Sequence, residues 1–231
     1  MKNILKYTIS FFIIVNIVSC AASKYNKNYS EETIRQFEKM AIIEPFVEIY
    51  ELGTDERMLL EDVSNYAKSE FKSYLNPFIT DTKSKYYNHA IWQKAQIDTL
   101  ESLIDTAYVK DDVSEVTVPL NLFDGVKEDK IIVSYIKGFI KSDSRRRSER
   151  WKTIGIGIIT VGMFIPVYYS SNITLYSVMI DRSSNQVVYK ERINLLGADP
   201  RKSEKIHDIV NKGVTSHFAL AKKENPSTKN N

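Results

Sequence analysis

Ile173-Thr174-Leu175-Tyr176-Ser177-Val178-Met179-Ile180-Asp181-Arg182-Ser183-Ser184-Asn185-Gln186-Val187-Val188-Tyr189-Lys190-Glu191-Arg192-Ile193 is the stretch that decides the fold. Two runs rich in β-branched and aromatic residues, Ile173 to Ile180 and Gln186 to Ile193, flank the polar segment Asp181 to Asn185. Such runs fit a pleated, packed surface, and a short polar connection folds them into a β-hairpin. Alternation puts Val187, Tyr189 and Ile193 on one face of the second strand. Val188, Lys190 and Arg192 fall on the other.

Downstream, Asp199-Pro200 reads as a helix opening, an N-cap followed by proline at the first helical position. Ile206, Ile209, Val210, Val214, His217 and Phe218 continue it as an amphipathic helix. Gly213 weakens that helix by about 1 kcal/mol relative to alanine. Upstream, Lys130 to Ile140 reads as a strand, and Asn88 to Tyr108 as a helix with Trp92, Ala95, Thr99, Leu103 and Ala107 along one side. Leu59, Val63, Ala67, Phe71, Tyr74 and Leu75 mark an earlier helix that starts after Gly53-Thr54-Asp55-Glu56 and stops at Pro77. Met40 to Tyr50 reads as a strand in which Pro45 limits sheet pairing, and Ser30 caps a short helix through Phe37. The expected fold is therefore α/β (an α+β sandwich), a mixed β-sheet with helices packed on it, following an N-terminal signal peptide and tether.

Length and composition set the frame around that sheet. At 231 residues with 43% hydrophobic content the chain can build one real core, which excludes disorder throughout. One cysteine excludes an internal disulfide and any multi-cysteine zinc site. A formal net charge of +3 is too small to signal nucleic-acid binding, so no nucleic-acid partner is expected.

The start of the chain carries an address. Lys2 and Lys6 precede an apolar run from Thr8 to Val18, too short for a comfortable membrane span and of secretory-signal length. It ends in Ile17-Val18-Ser19-Cys20. That order resembles a bacterial lipoprotein signal, with an aliphatic residue, a tolerant position, a small residue and then cysteine. A plain signal peptide with an incidental cysteine and an uncleaved anchor are the competing readings. The resemblance implies cleavage before Cys20, a diacylglycerol on its thiol and an acyl group on its new amine. Several acyl chains hold a protein on a bilayer far more firmly than one, at about 0.8 kcal/mol per buried methylene. No aspartate follows Cys20 and no acidic run opens the next segment, Ala21-Ala22-Ser23. By the same resemblance the periplasmic face of the bacterial outer membrane is the expected location. The organisation is then signal peptide 1–19, lipidated tether 20–29, one α/β domain 30–221 and a disordered tail 222–231. Cleavage removes both Lys2 and Lys6, so most of the mild basicity belongs to the signal.

A second resemblance sits in the domain. Ala41-Ile42-Ile43-Glu44-Pro45-Phe46 and the stretch Leu175 to Lys190 are similar to the opening strand and hairpin of a lipoprotein group. That group joins curli-secretion, TolB N-terminal and penicillin-binding-protein-activator proteins. Its hairpin commonly carries a glycine near Asn185, which this chain lacks.

Between Lys152 and Asp181 no residue is charged. Ile154 to Tyr169 is its apolar centre. A transmembrane helix, a buried strand and an exposed membrane or partner surface compete for it. The alternation of Ile154, Ile156 and Ile158 with Gly155 and Gly157 favours the strand. The preceding Arg145, Arg146, Arg147, Arg150 and Trp151 combine basic and interfacial chemistry, and mark the candidate partner or membrane contact. Gly155-x-Gly157-x-x-Thr160 lacks a third glycine and a strand-turn-helix setting, so no nucleotide or other cofactor is expected.

Residues for a reaction are sparse. His89, His207 and His217 fit no metal-ligand spacing, and no G-x-S-x-G elbow exists. Glu44, Glu48 and Glu51 could line a groove or keep an edge strand soluble. The expectation is a lipid-anchored, non-catalytic interaction domain acting in cell-envelope assembly or regulation, with an envelope protein as partner. The alternatives are an envelope hydrolase using Glu44 or Glu48, and an oligomeric secretion or pore component.

Overall fold

The computed structural model describes residues 22–26, 39–119, 121–159 and 168–215. Cys20 and the signal, the helix expected from Ser30 to Phe37, Thr160 to Val167, His217 and the tail 222–231 lie outside the described residues.

In chain order the elements are β1 (Ala22–Tyr25), β2 (Met40–Ile43), β3 (Phe46–Leu52), β4 (Arg57–Leu59), α1 (Glu61–Thr82), β5 (Lys85–Tyr87), α2 (Lys94–Val109), β6 (Lys130–Lys141), α3 (Asp143–Ile159), β7 (Ser171–Asp181), β8 (Gln186–Leu196) and α4 (Ser203–Val210). The strands form one mixed sheet in the order β1-β8-β7-β6-β2-β5, with β3 also on β6 and β4 on β3. This is the α/β sandwich expected.

The hairpin forms as β7 and β8. Its turn is closed by Asp181, whose Oδ1 accepts from the Ser183 backbone N–H at 2.9 Å and from the Ser183 hydroxyl at 2.6 Å. Asn185 takes the left-handed conformation, φ 53°, that asparagine tolerates and a glycine would otherwise supply. The face assignment from simple alternation is corrected by a bulge. Met179 pairs with Tyr189 but Ile180 pairs with Val187, so Val188 is extra. Val187 therefore lies on the opposite side of the sheet from Tyr189 and Ile193, while Val188 joins those two.

β2 and β3 both run parallel to β6, Met40–Ile42 beside Lys130–Ile132 and Phe46–Leu52 beside Tyr135–Lys141. Glu44-Pro45 is the break between them. Proline has no N–H to give the ladder, so the chain steps aside there. That step leaves β2 to pair with β5 and β3 with β4. β3 is thus not an edge strand. Glu48 and Glu51, three residues apart in a period-two element, fall on opposite faces and do not share one groove wall.

Both faces of the sheet are buried. Ile132, Ile136, Leu175 and Met179 pack on one side with Phe71 and Leu75 of α1 and Ile206 and Ile209 of α4. Ile131, Val133, Val178 and Ile180 pack on the other with Leu100, Leu103 and Ile104 of α2. This is why β6 and β7 read as nearly continuous apolar runs.

Five expectations are corrected. The helix expected to stop at Pro77 continues to Thr82. Pro77 and Ser73, whose carbonyl loses its donor, both lie on the exposed side, and the Thr80 and Thr82 hydroxyls donate back to the Asn76 and Phe78 carbonyls. Leu59 belongs to β4 and is exposed rather than helical. The last helix starts at Ser203, because Asp199 instead holds a turn, accepting from the Arg201 N–H and pairing with its guanidinium at 2.7 Å. Residues 22–25, expected in the tether, form β1 on the outer side of β8, since β8 presents an edge that needs donors and acceptors. Ile154 to Ile159, expected as a strand, are helical. α3 starts in Asp143-Ser144-Arg145-Arg146-Arg147, a good helix-forming run, and propagation outlasts the two glycines that cost about 1 kcal/mol each.

Gly213 lies in a π turn, Asn211–Thr215, pressed against the sheet. A Cβ there would stand within van der Waals overlap of Leu175 Cδ2. Gly213→Ala is therefore expected to lower stability by about 1–3 kcal/mol, the cost of overpacking, rather than add the helix propensity of alanine. A urea midpoint that rises in this variant would contradict the packing.

Candidate functional site

The basic cluster of the sequence is carried on α3, which leaves the sheet directly after β6. The helix splits the cluster. Arg145 turns inward, donating to Glu149 Oε1 at 3.3 Å and to the Gly53 carbonyl at 3.0 Å. Lys141, at the end of β6, donates to Glu149 Oε2 at 2.6 Å. Burial opposes ionisation of Glu149, but the two cations outweigh it and hold its carboxyl below the ordinary range. This trio fixes the first two turns of α3.

Arg146, Arg147, Arg150 and Trp151 occupy the other side of the helix and are exposed, Trp151 at 72%. Arg146 pairs with Asp143 three residues back. No residue from Asp143 to Lys152 belongs to either apolar core.

Several segments meet at this end of the sheet. The Ser142 N–H donates to the Leu52 carbonyl at 3.0 Å, and the Lys141 N–H to the Ser170 carbonyl at 2.8 Å. Lys141 Nζ stands 5.4 Å from the Tyr168 ring centroid. Tyr168, Tyr169 and Leu196, each about half exposed, cluster here where β7 begins and β8 ends. β1 starts short of this end, because Ala22 pairs with Arg192, which faces Tyr176 at the middle of β7. No helix among the described residues is long and apolar enough to cross a membrane.

The sequence-selected carboxylates go elsewhere. Glu44, at the step between β2 and β3, accepts from the His89 backbone N–H at 3.1 Å, with His89 Nδ1 at 3.6 Å and Lys68 Nζ at 4.0 Å. The His89 ring lies on Phe46 at 4.5 Å between centroids. Glu48 faces the hydroxyl of Tyr135, which burial and the nearby Glu48 and Glu101 carboxylates push far above the phenol range.

Burial lowers the His89 imidazole below its ordinary value, Lys68 adding to this and Glu44 opposing it. A lowered folded value means that the unfolded chain binds the proton more tightly, so stability is lost as pH falls below about 6.5. The urea midpoint is expected to drop between pH 7 and pH 5, and His89→Gln to flatten that slope. An unchanged slope in the variant would show that another group governs it.

An open groove of about 250 Å³ lies on the face that α2 leaves uncovered, lined by Tyr50, Arg57, Lys137, Phe139, Asn172 and Thr174 among others. The Arg57 guanidinium sits 3.4 Å above the Tyr50 ring. Gly138 forms its floor, and a Cβ there would come within 2.8 Å of the Asn172 carbonyl and of Ile49. No histidine, cysteine or carboxylate lines it among the described residues, and no group of His, Cys, Asp or Glu there could hold a metal. Sequence reading missed this groove. Its residues come from four strands, and only register brings them together.

No family profile matches the chain, and no curated protein does. Among solved structures, the PelC dodecamer from Paraburkholderia phytofirmans is similar over 83% of this chain and 96% of that one, with 8% identity and a TM-score of 0.31. A variant of the same dodecamer is similar over 86% and 98%, with 9% identity and a TM-score of 0.36. Likeness at this level places no activity on the chain.

Proposed function

We propose that the chain is a lipid-anchored lipoprotein of the bacterial envelope, facing the periplasm from the outer membrane. Its folded part is a non-catalytic interaction domain that serves envelope assembly or regulation. The observation that carries this reading is the order Lys2, Lys6, apolar run, Ile17-Val18-Ser19-Cys20, with the chain's one cysteine at the position the lipid needs. A thiol is the nucleophile required for a thioether to diacylglycerol. A small residue at Ser19 leaves the backbone open to a peptidase.

The folded part supports binding rather than chemistry. The Glu44 carboxylate is occupied by the His89 N–H and Lys68, and Glu48 by Tyr135. The groove under Arg57 offers aromatic faces, two cations and an amide, which suit recognition. Cys20→Ser is expected to abolish incorporation of labelled fatty acid and to leave an unprocessed or soluble form. Label that persists on the variant would refute the reading.

A further inference from the structure

We infer that the open groove beside Arg57 is a binding site for an acidic sugar, a ring that carries hydroxyls and a carboxylate. The inference deepens the reading of the folded part as a binding domain and does not use the lipid anchor. Register builds the site. Tyr50, Phe139 and Asn172 stand in one row across β3, β6 and β7, and Lys137 and Thr174 stand in the next row on the same face. Two aromatic rings thus lie beside an ammonium, a hydroxyl and an amide. Arg57 on β4 closes the outer side, its guanidinium 3.4 Å from the Tyr50 ring centroid. The space of about 250 Å³ falls short of a drug-sized pocket and suits one or two sugar rings.

The chemistry of these walls selects the ligand. β3, β6 and β7 each have a strand on both sides, so their N–H and C=O groups are spent on the ladder. An extended peptide held by its backbone finds no partners there. Side chains are what the groove offers. The half-buried rings of Tyr50 and Phe139 suit the apolar C–H face of a sugar, whose hydroxyls then need partners at the rim. Thr174 Oγ1 donates to Asn194 Oδ1 at 3.1 Å and keeps its lone pairs for a ligand hydroxyl. The Asn172 amide oxygen is enclosed with no hydrogen-bond partner among the described residues, and such an acceptor calls for a donor. A hydroxylated ring supplies one, and a purely apolar ligand does not. The acid of the ligand follows from Arg57. Tyr50 covers one face of its guanidinium, and no carboxylate lies within ion-pair distance of it among the described residues. Its N–H fork matches the two oxygens of a carboxylate. The acids near the groove stand toward α2. Asp105 lies 3.6 Å from Lys137 Nζ in an exposed, weak pair, and Glu48 and Glu101 flank the Tyr135 hydroxyl, Glu48 reaching the Tyr50 hydroxyl as well. They direct the ligand's carboxylate to the opposite wall, where Arg57 stands.

The test titrates the full chain at physiological salt, by calorimetry and saturation-transfer NMR, with three probes. Trigalacturonate is the first. Its methyl ester keeps the rings and loses the charge, and triglutamate keeps the charge and loses the rings. Trigalacturonate is expected to bind, and each of the other two to bind about tenfold more weakly or worse. Arg57→Ala, at an exposed position of β4, is expected to weaken trigalacturonate by about tenfold or more and to leave the ester unchanged. Lys127→Ala, exposed before the far end of β6, is expected to change neither. Triglutamate binding as tightly as trigalacturonate would overturn the sugar, and the ester binding as tightly would overturn the acid. An Arg57→Ala affinity equal to the parent's would overturn the site. Acyl mass on Cys20 with no trigalacturonate bound would overturn the groove assignment and leave the lipoprotein reading standing. Trigalacturonate held through Arg57 by a chain without acyl mass would do the reverse.

Discussion

Asp181→Ala is expected to cost about 3–5 kcal/mol of folding stability, the range for breaking a buried ion pair from one side. Asp181 Oδ2 lies 2.7 Å from Lys130 Nζ, and both side chains are about nine-tenths buried. The two residues face each other across β6 and β7, so the pair closes the ladder at the hairpin end. Removing the carboxylate leaves an ammonium group in a poorly solvated place. It also removes the acceptor of the Ser183 N–H and hydroxyl, which loosens the turn. Replacing both partners, Lys130→Met with Asp181→Leu, is expected to recover much of the loss, because the desolvation of two charges disappears with their attraction. Urea unfolding of the three proteins measures this. A single variant as stable as the parent would show that the pair is solvated.

Phe71→Ala is the second large effect, about 3–5 kcal/mol. Phe71 is fully buried near the middle of α1, between Ala67 and Leu75, and packs in the core shared by the sheet and α4. Truncation removes its transfer free energy and leaves a cavity that a sheet fixed on both sides cannot collapse to fill. Ser69→Ala, two residues away on the exposed face, is expected to stay within about 0.5 kcal/mol. Equal midpoints for the two variants would place α1 off the sheet.

These effects bear on how much of the molecule was legible beforehand. The hairpin, the β6 strand, the body of α2 and the break at Pro45 were readable because apolar period and turn chemistry agree there, although Trp92, expected inside α2, precedes its start at Lys94. Tertiary structure overrode local signals elsewhere. A bulge at Val188 moves Val187 to the other face, and nothing in the run Gln186-Val187-Val188-Tyr189 announces it. Pro77 stays inside α1 because the carbonyl it orphans is on the exposed side, a fact of packing and not of sequence. The Gly155 and Gly157 alternation imitated a strand, while the arginine-rich run before it had already set a helix going.

The candidate site was half legible. Arg146, Arg147, Arg150 and Trp151 were marked as a contact surface, and they stand exposed together on α3. Arg145, marked with them, is instead a brace that ties α3 to Glu149 and Gly53. No spacing rule separates it from its neighbours, because its acceptor on the Gly53 carbonyl comes from a loop far back in the chain. The pairing of β1 with the middle of β8 was hidden in a polar segment expected to be a tether.

The most direct measurement on the central claim is the mass of the amino-terminal peptide from the protein purified out of bacterial membranes. The account predicts a peptide that begins at Cys20 and carries a diacylglycerol and an amide-linked acyl chain. A peptide that still begins at Met1, or one that carries an unmodified Cys20, would contradict it.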